Sequence, residues 1–310
     1  MKIKTKLTVG ASLLMLIPVV VVCAVLGWVA VDNGRQALET KAQNQMIALR
    51  NSTQKAIENY FSTVQAQIVT LSDNRMITDA LNSLPNAYRL YQSSVEAAGD
   101  AGAAKLGAMR QELLAHYNGA FADEYRKQNG GGTIDAGNWL EKLSETGITL
   151  QHAYIAANPN PLGAKSKLIT PDDGSLYEVM HKRFHESLQD YQERFGYADI
   201  FLVDSKTGEV IYSVAKKAEF ATSLLEGPFA GTGLGQVFKQ ANESDDPGFI
   251  AMTDFSAYTP SYDNQAAFVA SPVFNRGKRL GVLIFQLSVD RLSGIITHDR
   301  KWAEVGLGES

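Results

Sequence analysis

Cysteine is almost missing from this 310-residue chain, where Cys23 stands alone. A single thiol excludes an intramolecular disulfide and takes redox chemistry off the list of themes. A basic excess is missing too. Lys and Arg number 29 against 33 Asp and Glu, for a formal net charge of −4 with no basic cluster. Nothing in that balance marks nucleic acid as a partner. Catalytic signatures are equally scarce. No Gly-x-Ser-x-Gly elbow occurs, and the carboxylates are scattered rather than paired on apolar strands. Gly231-Thr-Gly233-Leu-Gly235 has the glycines of a phosphate loop but neither the preceding strand nor the Lys-Ser/Thr, so it reads as the start of a helix. His181 and His185 stand at i and i+4, a spacing that suits metal ligands. No third ligand is evident, with Glu178 and Asp190 as the nearest helpers, and the pair reads as surface or capped core histidines. No enzyme activity, cofactor or metal is expected.

Long apolar runs are present, and one dominates. Leu7 to Val31 are about 25 consecutive uncharged, mostly apolar positions, enough for a bilayer span of roughly 20 residues. Lys2, Lys4 and Lys6 precede the run, whereas Asp32 and Arg35 follow it. The positive-inside bias predicts a cytoplasmic N-terminus and an extracytoplasmic remainder. The run is longer than a signal-peptide core, and no Ala-x-Ala site follows closely, so an uncleaved anchor is expected.

From Gly34 to about Leu84 neither proline nor internal glycine interrupts a helical pattern. Leu38, Ala42, Met46, Leu49, Ile57, Tyr60, Val64, Ile68 and Leu71 fall on one stripe, with polar residues elsewhere. Such a helix is suited to act as a stalk that couples an outer domain to the bilayer, the alternative being a plain amphipathic helix packed on its own domain, and its stripe suits a homodimer seam. Pro85 is expected to end or bend it. Helices are then predicted at Asn86–Ala97, from about Ala103 to Gln128, and at Asp135–Glu145 with Trp139, Leu140 and Leu143 inward. Ala98 to Gly102 reads as a weak zone between the first two. Ile148 to Ala156 reads as a strand or extended segment, followed by the stiff loop Asn158-Pro-Asn-Pro161. Ser175-Leu-Tyr-Glu178 is a capping box that opens a helix ending at Gly196. Leu176, Met180, Phe184, Leu188, Tyr191 and Phe195 form its expected buried stripe.

Five β-rich runs follow: Asp199–Asp204, Glu209–Val214, Phe249–Phe255, Ala266–Phe274 and Arg279–Leu287. Gly, Asp and Asn turns punctuate them, which predicts one antiparallel sheet. A helix at Gly231–Gln240 crosses it, and Val289 to about Lys301 reads as an exit helix. Between two strands, Thr253-Asp-Phe-Ser-Ala-Tyr-Thr-Pro-Ser-Tyr262 is an aromatic, polar loop. Tyrosines offer apolar walls with hydrogen-bonding tips, and Asp254 is suited to an amine. The alternative is a packed crossover in which the tyrosines simply cover the sheet. The candidate ligand-binding residues are Tyr212, Ser213, Asp254, Tyr258 and Tyr262.

With anchor, long helix and sheet in place, the chain resembles the sensor half of bacterial methyl-accepting chemotaxis proteins carrying a Cache (PAS-like extracytoplasmic) domain. The residues that carry the resemblance are Tyr154-Ile-Ala-Ala-Asn-Pro-Asn-Pro-Leu-Gly163, Arg194-Phe-Gly-Tyr-Ala-Asp-Ile-Phe-Leu-Val-Asp204, Ile211-Tyr-Ser-Val214, Ala270-Ser-Pro-Val-Phe274 and Arg279-Leu-Gly-Val-Leu-Ile-Phe-Gln286. Gly306-Leu-Gly-Glu-Ser310 is similar to the opening of a further module. The resemblance implies a small ligand in the outer domain, a helix shift through the membrane, and control of a chemotaxis kinase complex by a cytoplasmic part. That part has no counterpart in these residues, and a fragment or truncated gene product is expected. The Arg-x-Trp-Tyr element of amino-acid-recognising Cache domains is also missing, which disfavours amino acids as ligands.

The expected class is α+β. Its parts are an N-terminus and membrane helix (1–33), a long helix and bundle (34–147), a Cache-like domain with a five- or six-stranded antiparallel sheet (148–290), and an exit segment (291–310). Alternative assignments are the sensor region of a membrane histidine kinase or nucleotide cyclase, and a membrane-tethered interaction protein without a ligand.

Overall fold

The computed structural model describes residues 3–95 and 100–298. Gly306–Ser310, the end of the exit helix near Lys301, and Ala98 and Gly99 of the weak zone lie outside them. Two compact units are present, one within Met1–Asn59 and Ile295–Ser310, the other Tyr60–Gly294.

Helix α1 (Ile3–Ser72) carries the apolar run with its side chains exposed. Among the described residues it is the one helix long and apolar enough to cross a membrane.

The second unit begins with the last turns of α1, where Val64, Ile68 and Leu71 are buried. The helix breaks at Asp73-Asn74 rather than at Pro85. Asn74 Oδ1 accepts the Met76 N–H at 2.8 Å and so caps α2 (Arg75–Val95). Pro85 stands inside α2, because it removes only its own donor from a helix that packing holds in place. Helix α3 (Asp100–His116) runs through a π-helical turn (Tyr117–Phe121) into α4 (Ala122–Asn129), and α5 is Ala136–Glu141. The expected strand at Ile148–Ala156 is instead α6 (Glu145–Gln151) followed by a second π turn, His152–Ala156. The Ser144 hydroxyl, accepting the Gly147 N–H at 3.0 Å, starts that helix and overrides the β-rich composition.

Helix α7 (Leu176–Phe195) has the expected limits, with Ser175 as N-cap and Gly196 in the left-handed region. The Glu178 carboxylate, however, accepts the N–H groups of Asp173 and Gly174 rather than that of the cap residue. Its buried face is also rotated: Tyr177, His181, Phe184, His185 and Leu188 are inside, while Leu176 and Phe195 are exposed. Two histidines stand on the inner stripe where Leu176 and Phe195 were expected, and an apolar-periodicity reading cannot see that.

The sheet has six strands: β1 (Asp199–Asp204), β2 (Val210–Ser213), β3 (Ala251–Met252), β4 (Ser256–Tyr258), β5 (Asn264–Asn275) and β6 (Lys278–Ser288). Their order is β2-β1-β6-β5-β3, with β4 also on β5, and every pairing is antiparallel. The run Phe249–Phe255 thus yields only the two-residue β3, and the second short edge piece, β4, begins just beyond it. Pro272 is tolerated in β5 beyond the reach of β3, which pairs only with Val269 and Ala270. Helix α8 (Gly233–Glu243) lies on the sheet, and α9 (Val289–Thr297) follows β6.

Period-two alternation sends side chains to both faces. Ile200, Leu202, Leu283, Phe285 and Val269 join one core with α2 and α7. Phe201, Val203, Val282, Ile284 and Phe268 join another with α8, Tyr117, Phe121 and Leu140. Double coverage explains why these strands read as continuous apolar runs. Gly281 marks a tight crossing in β6. A Cβ there would lie 2.3 Å from the Val203 carbonyl oxygen and 2.7 Å from Leu81 Cδ2. Gly281→Ala is expected to destabilise the domain by about 1–3 kcal/mol, read as a lower denaturation midpoint.

Candidate functional site

The site is assembled around Asp199, the first residue of β1, which is fully buried. Its Oδ1 accepts the N–H groups of Ile200 (2.7 Å), Val214 (2.9 Å) and Ala215 (2.9 Å), and its Oδ2 accepts the Ser213 hydroxyl at 2.7 Å. Burial raises this carboxyl above the ordinary aspartate range, against the pull of Lys217 and of these donors. Ser213 Oγ in turn accepts the Lys216 N–H at 2.9 Å. The network turns the chain sharply after β2 and holds Lys216 at φ 56°, a left-handed conformation uncommon outside glycine.

The turn places Ala215–Ala218 along a cavity of about 150 Å³. His116, Tyr117 and Phe121 line it from α3 and its π turn, and Leu162, Gly163, Lys165 and Ser166 from the proline-rich loop. Pro260 and Tyr262 close it from the β4–β5 connection. Tyr262 and Asp263 are both left-handed, at φ 58°. Their tip is tied down by Tyr125 Oη donating to Asp263 Oδ2 (2.5 Å) and Asn129 Nδ2 donating to the Tyr262 carbonyl (3.0 Å). Lys216 and Tyr262 are thus two left-handed non-glycine residues in the lining of one cavity, and such conformations persist where surrounding structure enforces them.

The lining contains Lys165, Lys216 and Lys217 and no carboxylate. Lys216 is 1% exposed, with its amine turned onto the Ser213 carbonyl and set over the Tyr212 ring at 4.7 Å. Burial lowers that amine to about 7. Lys217, half-buried, donates to Ser261 Oγ and Gln286 Oε1, both at 3.0 Å. His116 is pushed down to about 4 by burial and by Lys165. Behind the loop, Glu219 is fully buried and neither of its oxygens has a complete hydrogen bond. The Tyr258 hydroxyl faces it and is equally unsatisfied, and burial raises the Glu219 carboxyl to about 8.

Of the five residues expected from sequence, Tyr262 alone lines this cavity. Ser213 is buried beneath the loop as part of the Asp199 network. Tyr212 is buried in the opposite core, where His185 Nδ1 meets its hydroxyl at 2.8 Å. Tyr258 packs on Phe268 in the second core, with ring centroids 5.0 Å apart. Asp254 is exposed at the sheet edge and does not join them. Periodicity did not flag the Lys216-Lys217 pair directly after a strand, nor His116 and Tyr117. The one available signal was a charged pair following an apolar run.

His181 and His185 stack at 4.3 Å inside the core. His185 Nε2 donates to the Ser166 carbonyl (2.6 Å), so its Nδ1 is the acceptor for Tyr212 Oη, and both ring nitrogens are occupied. His181 Nδ1 donates to the Ile169 carbonyl at 2.9 Å, leaving a bare, buried Nε2. Burial keeps both imidazoles neutral, with His185 lowered to about 3. No group of three metal-capable side chains occurs among the described residues.

A second cleft of about 420 Å³ lies where α2 passes the two hairpin turns. Its acids serve the fold. Asp204 Oδ2 accepts from the backbone and hydroxyl of Thr207 (2.9 Å each), and Glu209 accepts from Tyr88 Oη at 2.9 Å.

No family model and no curated protein matches the chain. Solved structures do. The sensor domain of the Vibrio cholerae histidine kinase DctB is 13% identical, with a TM-score of 0.30 over 60% of each chain. The ligand-binding domain of the Campylobacter jejuni chemoreceptor Tlp3, in complex with 4-methylisoleucine, is 13% identical with a TM-score of 0.27, over 73% of this chain and 65% of that one. The ligand-binding domain of the Pseudomonas aeruginosa PAO1 amino acid chemoreceptor PctC, in complex with GABA, is 17% identical with a TM-score of 0.26, over 37% of this chain and 55% of that one. The chain therefore spans about 60% of the length of the first of these domains. The structures it resembles are sensory and ligand-binding domains of chemoreceptors and histidine kinases, and likeness at this level leaves ligand and activity to this chain's own residues.

Proposed function

We propose that this chain is the ligand-sensing part of a bacterial chemotaxis receptor, anchored in the inner membrane by Leu7–Val31 with the sheet domain outside. The observation that carries the reading is the small cavity between the loop after β2 and the β4–β5 tip. Left-handed Lys216 and Tyr262 stand in its lining, together with the aromatic residues Tyr117 and Phe121 and the lysines Lys165 and Lys217. A domain that buries strained backbone and unpaired charge around a cavity has built a site for a small molecule. The apolar segment of α1 and the lysines before it support the anchor and its orientation. Binding, rather than catalysis, is the expected chemistry. Among the described residues no Asp or Glu lines the cavity, so its lining offers no carboxylate dyad.

Two measurements test this. Protease added outside spheroplasts should digest the chain beyond Asp32 while sparing an N-terminal tag; the reverse pattern sinks the topology. Purified full chain in lipid nanodiscs should gain thermal stability from at least one member of a broad small-metabolite panel. At a ligand concentration of about 100 Kd the gain is about 2.7 kcal/mol, a shift of several degrees. If no compound stabilises the wild-type chain, the sensing reading fails.

A further inference from the structure

We propose that the cavity takes a small organic monoanion, with the Lys217 ammonium as its charged partner; this deepens, and rests on, the reading of the cavity as the sensing site. Charge decides the class of ligand. Three lysines line the cavity and no Asp or Glu does. Among the described residues, no ion pair satisfies any of the three. Lys165 and Lys216 are 6% and 1% exposed, and each directs its amine at a backbone carbonyl, Asn158 O at 2.8 Å and Ser213 O respectively. Burial lowers both amines below the ordinary lysine range.

The acids nearby offset this field only in part. Asp199, which accepts from four donors of β1 and the loop, pulls on both Lys216 and Lys217, whereas Glu219, raised to about 8, is mainly neutral at pH 7. His116, lowered to about 4, is neutral as well. The cavity is consequently a partly desolvated site with an excess of positive charge, three lysines in its lining against one buried aspartate behind it. Buried or half-buried cations in that condition favour an incoming anion far more than the same charges do in water.

Lys217 is the partner because of its geometry. An ammonium has three donors, and Ser261 Oγ and Gln286 Oε1 take two of them at 3.0 Å each. The remaining donor suits one carboxylate oxygen in a charge-assisted hydrogen bond. Gln286 Nε2 also donates to Ser261 Oγ at 2.9 Å, which fixes the cradle. Tyr117, Phe121 and Tyr262 supply rings for the apolar body of the ligand. A volume of about 150 Å³ is well below the roughly 300–1,000 Å³ of drug-sized pockets, and so limits that body to a few carbons. One free ammonium donor matches one negative charge, not two.

The test is calorimetric titration of the full chain in nanodiscs with acetate, propanoate, lactate and pyruvate. Acetamide, propanamide and 2-hydroxypropanamide serve as uncharged counterparts. At least one of the acids with an amide counterpart should bind, and its amide should bind at least about 30-fold more weakly, the loss of a charge-assisted contact. Lys217→Met should weaken that acid by about tenfold or more, and Lys217→Arg should retain most of the affinity. Lys217→Gln replaces the Met variant if thermal unfolding shows the latter misfolded. Equal affinity for acid and amide overturns the proposal, as does an unchanged affinity in the folded Lys217 variant. So does a neutral or amine metabolite that stabilises the chain while all four acids fail, an outcome that leaves the sensing reading standing. Failure of every compound in both panels removes the two together.

Discussion

Glu219→Gln is expected to separate from the wild type by roughly 4–5 kcal/mol in stability between pH 4.5 and pH 8, with the variant the more stable at the alkaline end. Glu219 is fully buried and neither oxygen has a complete hydrogen bond. Burial is the largest influence on its carboxyl, Lys217 pulls the other way, Asp199 adds to the rise, and the result lies near 8 against an ordinary 4.5. Between those two values the folded chain holds a proton that the unfolded chain has released. The stability this group contributes is therefore full below about pH 4.5 and declines as the pH rises through 8. At about 1.4 kcal/mol per pH unit, the interval gives roughly 5 kcal/mol as an upper figure. Glutamine has nearly the same shape and never ionises, so it abolishes the decline. Urea denaturation of both proteins at pH 4.5, 6 and 8 checks this. The remaining titrations are common to both chains and cancel in the difference. A constant gap at all three pH values would show that the carboxyl is hydrated or paired.

Much of the fold was legible in the residues, for a physical reason. Strands β1, β5 and β6 are buried on both faces, so they appear as uninterrupted apolar runs between turn residues, and their limits were close to those found. Helix α7 announced itself by Ser175 and Gly196, because capping is a local interaction that sequence records directly. What sequence hid was tertiary. The break at Asp73-Asn74 depends on a single side-chain cap, and the helicity of 145–156 depends on Ser144 outweighing β-rich composition. The inner face of α7 was misplaced because His181 and His185 count as polar in any periodicity, yet they are neutral and stacked in the core. The candidate site was the least legible part. Tyr212, Ser213 and Tyr258 have the right chemistry, but two cores and the Asp199 network consume them. The cavity is lined instead by residues from separated segments, among them His116, Lys165, Lys217 and Tyr262, and no local pattern connects those.

Lys216→Met is the second large effect, a stabilisation of about 2–4 kcal/mol at pH 7. The wild-type amine is 1% exposed and has no carboxylate partner in an ion pair, and its burial outweighs the favourable pull of Asp199. Groups facing it are Asp199 from β1, His181 and His185 from α7, Tyr212 from β2 and Tyr154 from the second π turn. Both histidines are neutral, so none of these restores the lost hydration except in part. With a folded value of about 7 against an ordinary 10.5, the sign is opposite to that of Glu219. Below about pH 7 the folded chain carries the full penalty of a buried ammonium, and the penalty fades as the pH rises toward 10.5. Methionine fills the same space without charge, but leaves the Ser213 carbonyl without this donor, an offset of about 1–3 kcal/mol. The left-handed backbone at φ 56° strains either side chain alike and cancels. The gain should accordingly be greatest at or below pH 7 and shrink toward pH 10, measured by urea denaturation across that range. The same substitution bears on ligand binding. An anion in the cavity favours the charged form of Lys216, so wild-type affinity should rise as pH falls through about 7, with proton uptake on binding. Titration of whichever acid binds, in two buffers of different ionisation enthalpy at pH 7.5, should show that uptake in the wild type and its loss in Lys216→Met. Equal uptake in the two proteins would place the coupled proton elsewhere.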